Sequence, residues 1–149
     1  MNQLPISERT VFLDVNGVRA ARGISTARVN ELVESGELLW AWNIGRQAGE
    51  TGSRTLRFWA PCVLNPQAVA ALGIENVIDR ILPPSRHNFN GSELCQAFLI
   101  SRQTVQRIGR ALGGVVSNRL LYVERPALVD FLKARWIAAD SVYTGRKTI

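Results

Sequence analysis

Apolar positions recur at helical spacing through most of the chain and give way twice to the every-second-residue alternation of strands. Leu94, Cys95 and Phe98 share one face of a short helix, Leu99 and Ile100 make a turn, and a second helix opening at Ser101 points Val105, Ile108 and Leu112 inward. Beyond Gly113 and Gly114, two apolar runs, residues 115–116 and 120–123, flank Ser117, Asn118 and Arg119. That is a hairpin pattern with Arg119 at or beside its tip. Pro126 suits the first turn of a final amphipathic helix through Leu128, Phe131, Leu132, Arg135 and Trp136, running to Ala139.

The same succession occurs earlier in the chain. Residues 14–22 read as a short helix, Gly23 and Ile24 as a turn, and residues 25–35 as a helix with Val29, Leu32 and Val33 inward. Trp40, Trp42 and Ile44 alternate along one strand, and Leu56 and Phe58 along another, around a Gly-rich charged loop from Arg46 to Arg54. Ile24, Ser25 and Val29 stand 76 positions before Ile100, Ser101 and Val105, whereas Arg54, Leu56, Phe58 and Pro61 stand 65 before Arg119, Leu121, Val123 and Pro126. Two registers separated by one loop 11 residues longer in the first copy imply an internal repeat. Ser25 and Ser101 are then N-caps, each accepting a backbone N–H of the following turn.

Between the copies, residues 62–82 show helical periodicity broken at Gly73, which predicts one kinked helix or two short ones. The run Pro83-Pro84-Ser85-Arg86-His87-Asn88 reads as a stiff linker, with His87 a linker residue and not a catalytic one. The expected organisation is a first unit over residues 11–82, a linker over 83–91, a second unit over 92–140 and a flexible basic tail over 141–149. The fold class is mainly α with small β-hairpins (α+β). Alternating Trp40 and Trp42, with Trp59, are expected to pack the hairpin and core, not to stack bases.

Composition narrows the functions. With 149 residues and 46% hydrophobic content the chain can bury a core. No stretch has the length of a membrane span and the first residues lack a signal peptide's pattern, so the expected location is cytoplasmic. Cys62 and Cys95 lie in apolar surroundings at no metal-ligand spacing and read as buried free thiols. The net charge of +6 is almost wholly arginine, Lys133 and Lys147 being the lysines. From Arg80 to Arg125, Arg80, Arg86, Arg102, Arg107, Arg110, Arg119 and Arg125 face only Glu93 and Glu124, a bias that favours a polyanion.

The helix that opens at Ser101 presents Arg102, Gln103, Gln106, Arg107 and Arg110 away from its apolar stripe, and Arg and Gln make bidentate contacts to guanine and adenine edges. Together with the hairpin bearing Arg119, these residues resemble the winged helix-turn-helix domains of the excisionase and MerR-type families, DNA-binding modules common in phages and mobile elements. Glu34-Ser35-Gly36-Glu37-Leu38 likewise resembles the helix-to-wing junction of MerR-type domains. The chain departs from that pattern at Leu99, where the family usually has Gly, and at Arg19 and Arg22, where it has small or apolar residues.

The resemblance implies tandem winged helix-turn-helix units that bind double-stranded DNA in sequence-specific fashion. Such a protein would be a nucleoid-associated transcriptional regulator or an excisionase-like architectural factor. Arg102, Gln103, Gln106 and Arg107, with Thr26 and Arg28 in the first copy, are the expected base contacts. Arg110, Arg119, Arg46, Arg54, Arg57, Ser25 and Ser101 are the expected backbone or minor-groove contacts. The alternative is a packaging or replication adaptor, like a small terminase subunit, that recruits a larger enzyme. A homodimer or higher oligomer and a recruited protein partner are both compatible with the sequence, and Glu31 and Glu34 give the first copy an acidic face suited to protein contact. No phosphate-cradling Gly motif, metal-spaced cluster or paired nucleophile and base is present, so neither an enzyme nor a cofactor is expected.

Overall fold

The computed structural model describes residues 11–44 and 55–139. A short strand, β1 (Phe12–Leu13), leads to Asp14, whose carboxylate accepts the Gly17 N–H at 2.8 Å and so opens helix α1 (Val15–Arg22). Gly23, at φ 66°, ends α1 in the left-handed conformation, and Ser25 Oγ accepts the Arg28 N–H at 3.1 Å to open α2 (Thr26–Ser35). Then come β2 (Ala41–Asn43), β3 (Leu56–Trp59), α3 (Ala60–Leu64), a 3₁₀ turn (Pro66–Val69) and α4 (Ile74–Ile81).

The second half repeats the succession. It comprises β4 (Asn88–Asn90), α5 (Gly91–Phe98), α6 (Arg102–Ala111), β5 (Val115–Ser117), β6 (Leu120–Glu124), α7 (Arg125–Arg135) and a closing 3₁₀ turn (Ile137–Ala139). Asn90 caps α5 where Asp14 caps α1, and Ser101 caps α6 where Ser25 caps α2. The Asn90 cap is a full capping box: its side chain accepts the Glu93 N–H and Glu93 accepts the Asn90 N–H, both at 2.9 Å. Leu99 takes the place of Gly23 and adopts the same left-handed conformation, φ 55° and ψ 47°.

Among the described residues the fold is mixed α+β, with seven α-helices and two antiparallel three-stranded sheets of order β1-β3-β2 and β4-β6-β5. Each expected hairpin is thus one strand larger than its sequence pattern. Leu13 pairs with Phe58, and Phe89 with Val123. The region between the copies also differs from expectation: helix begins at Ala60, and residues 88–90 of the expected linker are strand β4. The Arg125 N–H donates to His87 O at 2.8 Å, so the end of that linker is stitched into the second sheet.

The halves are fused by packing, not tethered at a distance. Their buried side chains form one cluster, in which Phe12 of β1 lies 5.1 Å from Phe98 of α5 between ring centroids. Trp42 is fully buried, and its indole N–H donates across the halves to Leu132 O at 2.8 Å. In return the Trp136 indole donates to Leu39 O at 2.8 Å and its ring stacks on Trp40 with centroids 5.0 Å apart. Trp40, Trp42 and Trp59 are all core residues. Among the described residues no helix is long and apolar enough to cross a membrane.

Candidate nucleic-acid interface

Helix α6 turns Val105, Ile108 and Gly109 into the core. Leu112, expected inward with them, is only half-buried. On the other side Arg102, Gln103, Arg107 and Arg110 are exposed and Gln106 half-exposed. Gln103, Gln106, Arg107 and Arg110 border one shallow depression. Gln106 also borders a second groove with Arg102, Arg119, Ser92 and Cys95, which joins the helix to the hairpin. Among the described residues no ion pair engages Arg102, Arg110 or Arg119.

The hairpin reaches that position through close backbone contact. Gly114 N donates to Gly109 O at 2.7 Å, and a side chain at either glycine would meet neighbouring atoms at 2.8 Å or less. Asn118 and Arg119, at φ 52° and 68°, form the two-residue turn between β5 and β6, the pair of positive φ values that a tight hairpin favours. Arg119 therefore projects from the tip in a conformation that costs a non-glycine residue about 1–2 kcal/mol. The sequence pattern located the tip but not this geometry, for which Asn118 was the available signal.

Several arginines are structural. Arg57, expected to contact DNA, donates from Nε to Phe98 O at 2.8 Å, from Nη2 to Leu99 O at 2.6 Å and from Nη1 to Leu56 O at 2.8 Å. Burial draws its pKa below the ordinary value while Asp14 acts in the opposite sense. Arg22, unusual for the resembled family, donates to Val63 O at 3.0 Å and Cys62 O at 3.5 Å at the end of α3. Arg125 donates to Leu82 O at 2.9 Å and pairs with Asp79 at 2.7 Å, beside the end of α4. Each guanidinium lies where helical carbonyls run out of intrahelical donors. Arg86 is instead paired with Glu93 at 2.6 Å, which raises the pKa of the arginine and lowers that of the carboxyl.

The first half places its expected base contacts differently. Arg28 is paired with Glu31 at 3.1 Å, so its guanidinium is committed to a neighbour on α2. Glu31 and Glu34 stand at the positions that Arg107 and Arg110 hold 76 residues later, and Thr26 stands where Arg102 does. The face that is basic on α6 is acidic on α2, which sets Thr26 and Arg28 among carboxylates that repel phosphate. Ser25 and Ser101, expected at the backbone, spend an oxygen lone pair on their caps, and Ser101 Oγ lies 2.9 Å from Thr104 Oγ1. Arg46 and Arg54 lie outside the described residues, as do the basic tail and the first ten residues.

Cys62 is buried and its thiol is pushed up to about 11, chiefly by desolvation; Cys95 is only partly buried. No group of three or more His, Cys, Asp or Glu side chains suited to a metal occurs among the described residues. Comparison with family models, with curated proteins and with solved structures returns no match to this chain.

Proposed function

We propose that the chain is a sequence-specific double-stranded DNA-binding protein built from tandem winged helix-turn-helix units, in which the second unit reads the DNA. The observation that carries this reading is the continuous face of Arg102, Gln103, Gln106, Arg107 and Arg110, linked by one groove to Arg119 at the hairpin tip. Ten residues of α6 span about 15 Å, long enough to lay that face along a major groove about 12 Å wide. Arg102, Gln103, Gln106 and Arg107 take base edges; Arg110 and Arg119 take the backbone or the adjacent minor groove.

The first unit contributes scaffold in place of a second reading helix. Its α2 carries carboxylates where α6 carries arginines, and its core is merged with that of the second unit. In this reading the protein serves as a regulator of transcription or as an architectural factor in DNA rearrangement, roles that share one surface. Selection of duplexes from a random pool, followed by titration of the winner and an unrelated duplex over a salt series, tests the proposal. Arg102→Ala or Arg107→Ala is expected to cost about 1–3 kcal/mol on the winner and little on the unrelated duplex. Failure to recover any preferred sequence overturns it.

A further inference from the structure

The two turns that precede the equivalent helices α2 and α6 are held in different ways. Gly23 adopts the left-handed conformation at φ 66° as glycine does freely, and among the described residues no side chain donates to the carbonyls of Arg22 or Gly23. Leu99 holds the same conformation at φ 55° against steric resistance, and it is here that Arg57 delivers two bonds, to the carbonyls of Phe98 and Leu99 at 2.8 and 2.6 Å. The residue 65 positions after Arg57 is Tyr122, which has no guanidinium to offer the other turn.

We propose that Arg57 is a positioning residue for DNA reading: from β3 of the first half it clamps the turn of the second and sets the angle at which α6 leaves it. This rests on the DNA-binding function proposed above. Leu99 lies two residues before the Ser101 cap of α6, so its backbone torsions aim the whole helix. Arg107, the base-reading residue farthest from that pivot, lies roughly 12 Å along from it, and a swing of about 5° there displaces it by about 1 Å. A bidentate contact to a base tolerates only about 0.5 Å. The guanidinium is suited to the task because its planar fork fixes direction as well as distance, which a lysine ammonium does not. The first half thereby acts on specificity without touching a base.

The full chain and its Arg57→Ala and Arg57→Lys variants are compared on the selected duplex and an unrelated duplex across a salt series. Arg57→Ala is expected to lose roughly tenfold on the selected duplex, the scale of one misaligned base contact, with unchanged affinity for the unrelated duplex and an unchanged salt slope. Arg57→Lys, which keeps the charge but reaches one carbonyl, is expected to recover part of the loss. Should the alanine variant fail to fold by near-ultraviolet circular dichroism, the lysine variant carries the test alone. Without DNA, amide exchange at Leu99 and Ile100 is expected to quicken while that at Leu32 and Val77 holds. Equal losses on both duplexes with a slope lower by about one would make Arg57 a phosphate contact and overturn the inference. Unchanged selectivity in a folded variant overturns it too, leaving the DNA-binding proposal intact. Absence of any selected duplex for the unaltered chain instead overturns that proposal, and the inference with it.

Discussion

Replacing Gly114 by alanine adds one methyl group at the point where the hairpin meets helix α6. Its carbon would sit 2.8 Å from Gly109 O, 3.0 Å from Leu121 Cδ1 and 3.1 Å from Tyr122 O. The leucine methyl can rotate away, but the two oxygens belong to a helix and a paired strand, so relief requires backbone movement. That movement stretches the 2.7 Å bond from Gly114 N to Gly109 O, worth about 1 kcal/mol, and adds about 1–3 kcal/mol of overpacking. The sum is about 2–4 kcal/mol, or a melting point lower by about 5–15 °C for a chain of this size. Gly113 supplies the control: at φ 79° it has open space within 4 Å, so Gly113→Ala suffers only the left-handed strain of about 1–2 kcal/mol. Urea denaturation followed by tryptophan fluorescence measures both. A Gly114→Ala variant no less stable than Gly113→Ala would refute the argument that close approach, and not torsion, demands glycine at this junction.

Arg119→Gly relieves left-handed strain at the hairpin tip, so it is expected to stabilise the fold by about 1 kcal/mol while lowering the DNA salt slope by about one. A salt slope that does not fall would remove Arg119 from the proposed interface. Glu93→Gln keeps a capping-box acceptor but ends the charge pairing with Arg86. Because that pairing holds the Glu93 carboxyl below its ordinary value, its stabilisation is present above the usual glutamate pKa and is lost as pH falls through the folded-state value. The exposed pair is screened, so the variant is expected to be only slightly less stable than the parent at neutral pH, with the gap closing in acid as pH falls below the folded-state value of Glu93. A gap in the urea midpoint unchanged between neutral pH and acid would discard that linkage. Alkylation of the native protein at pH 8 is expected to modify Cys95 well before Cys62, whose burial raises its thiol to about 11; the reverse order by peptide mass mapping contradicts the packing around Cys62.

Features whose physics is local were legible in the sequence. Ser25 and Ser101 accept N–H groups three residues ahead, Gly23 frees its own torsions, and Val29, Leu32, Val105 and Ile108 declare an inward face by spacing alone. Even the third strand of each sheet had a trace, since Leu13 and Phe89 obey the 76-residue offset, although two or three residues are too few to show alternation. The role of each arginine was not legible. Arg22, Arg57 and Arg125 find their distant carbonyls 40 to 43 positions away, whereas the structure leaves Arg102, Arg110 and Arg119 at the surface. A guanidinium has the same donors whether it meets a helix end or a phosphate, and only tertiary packing decides which acceptor lies within reach. The sequence by itself therefore determined the repeated elements and the overall positive charge, while the tertiary structure divided that charge between holding the fold together and facing outward.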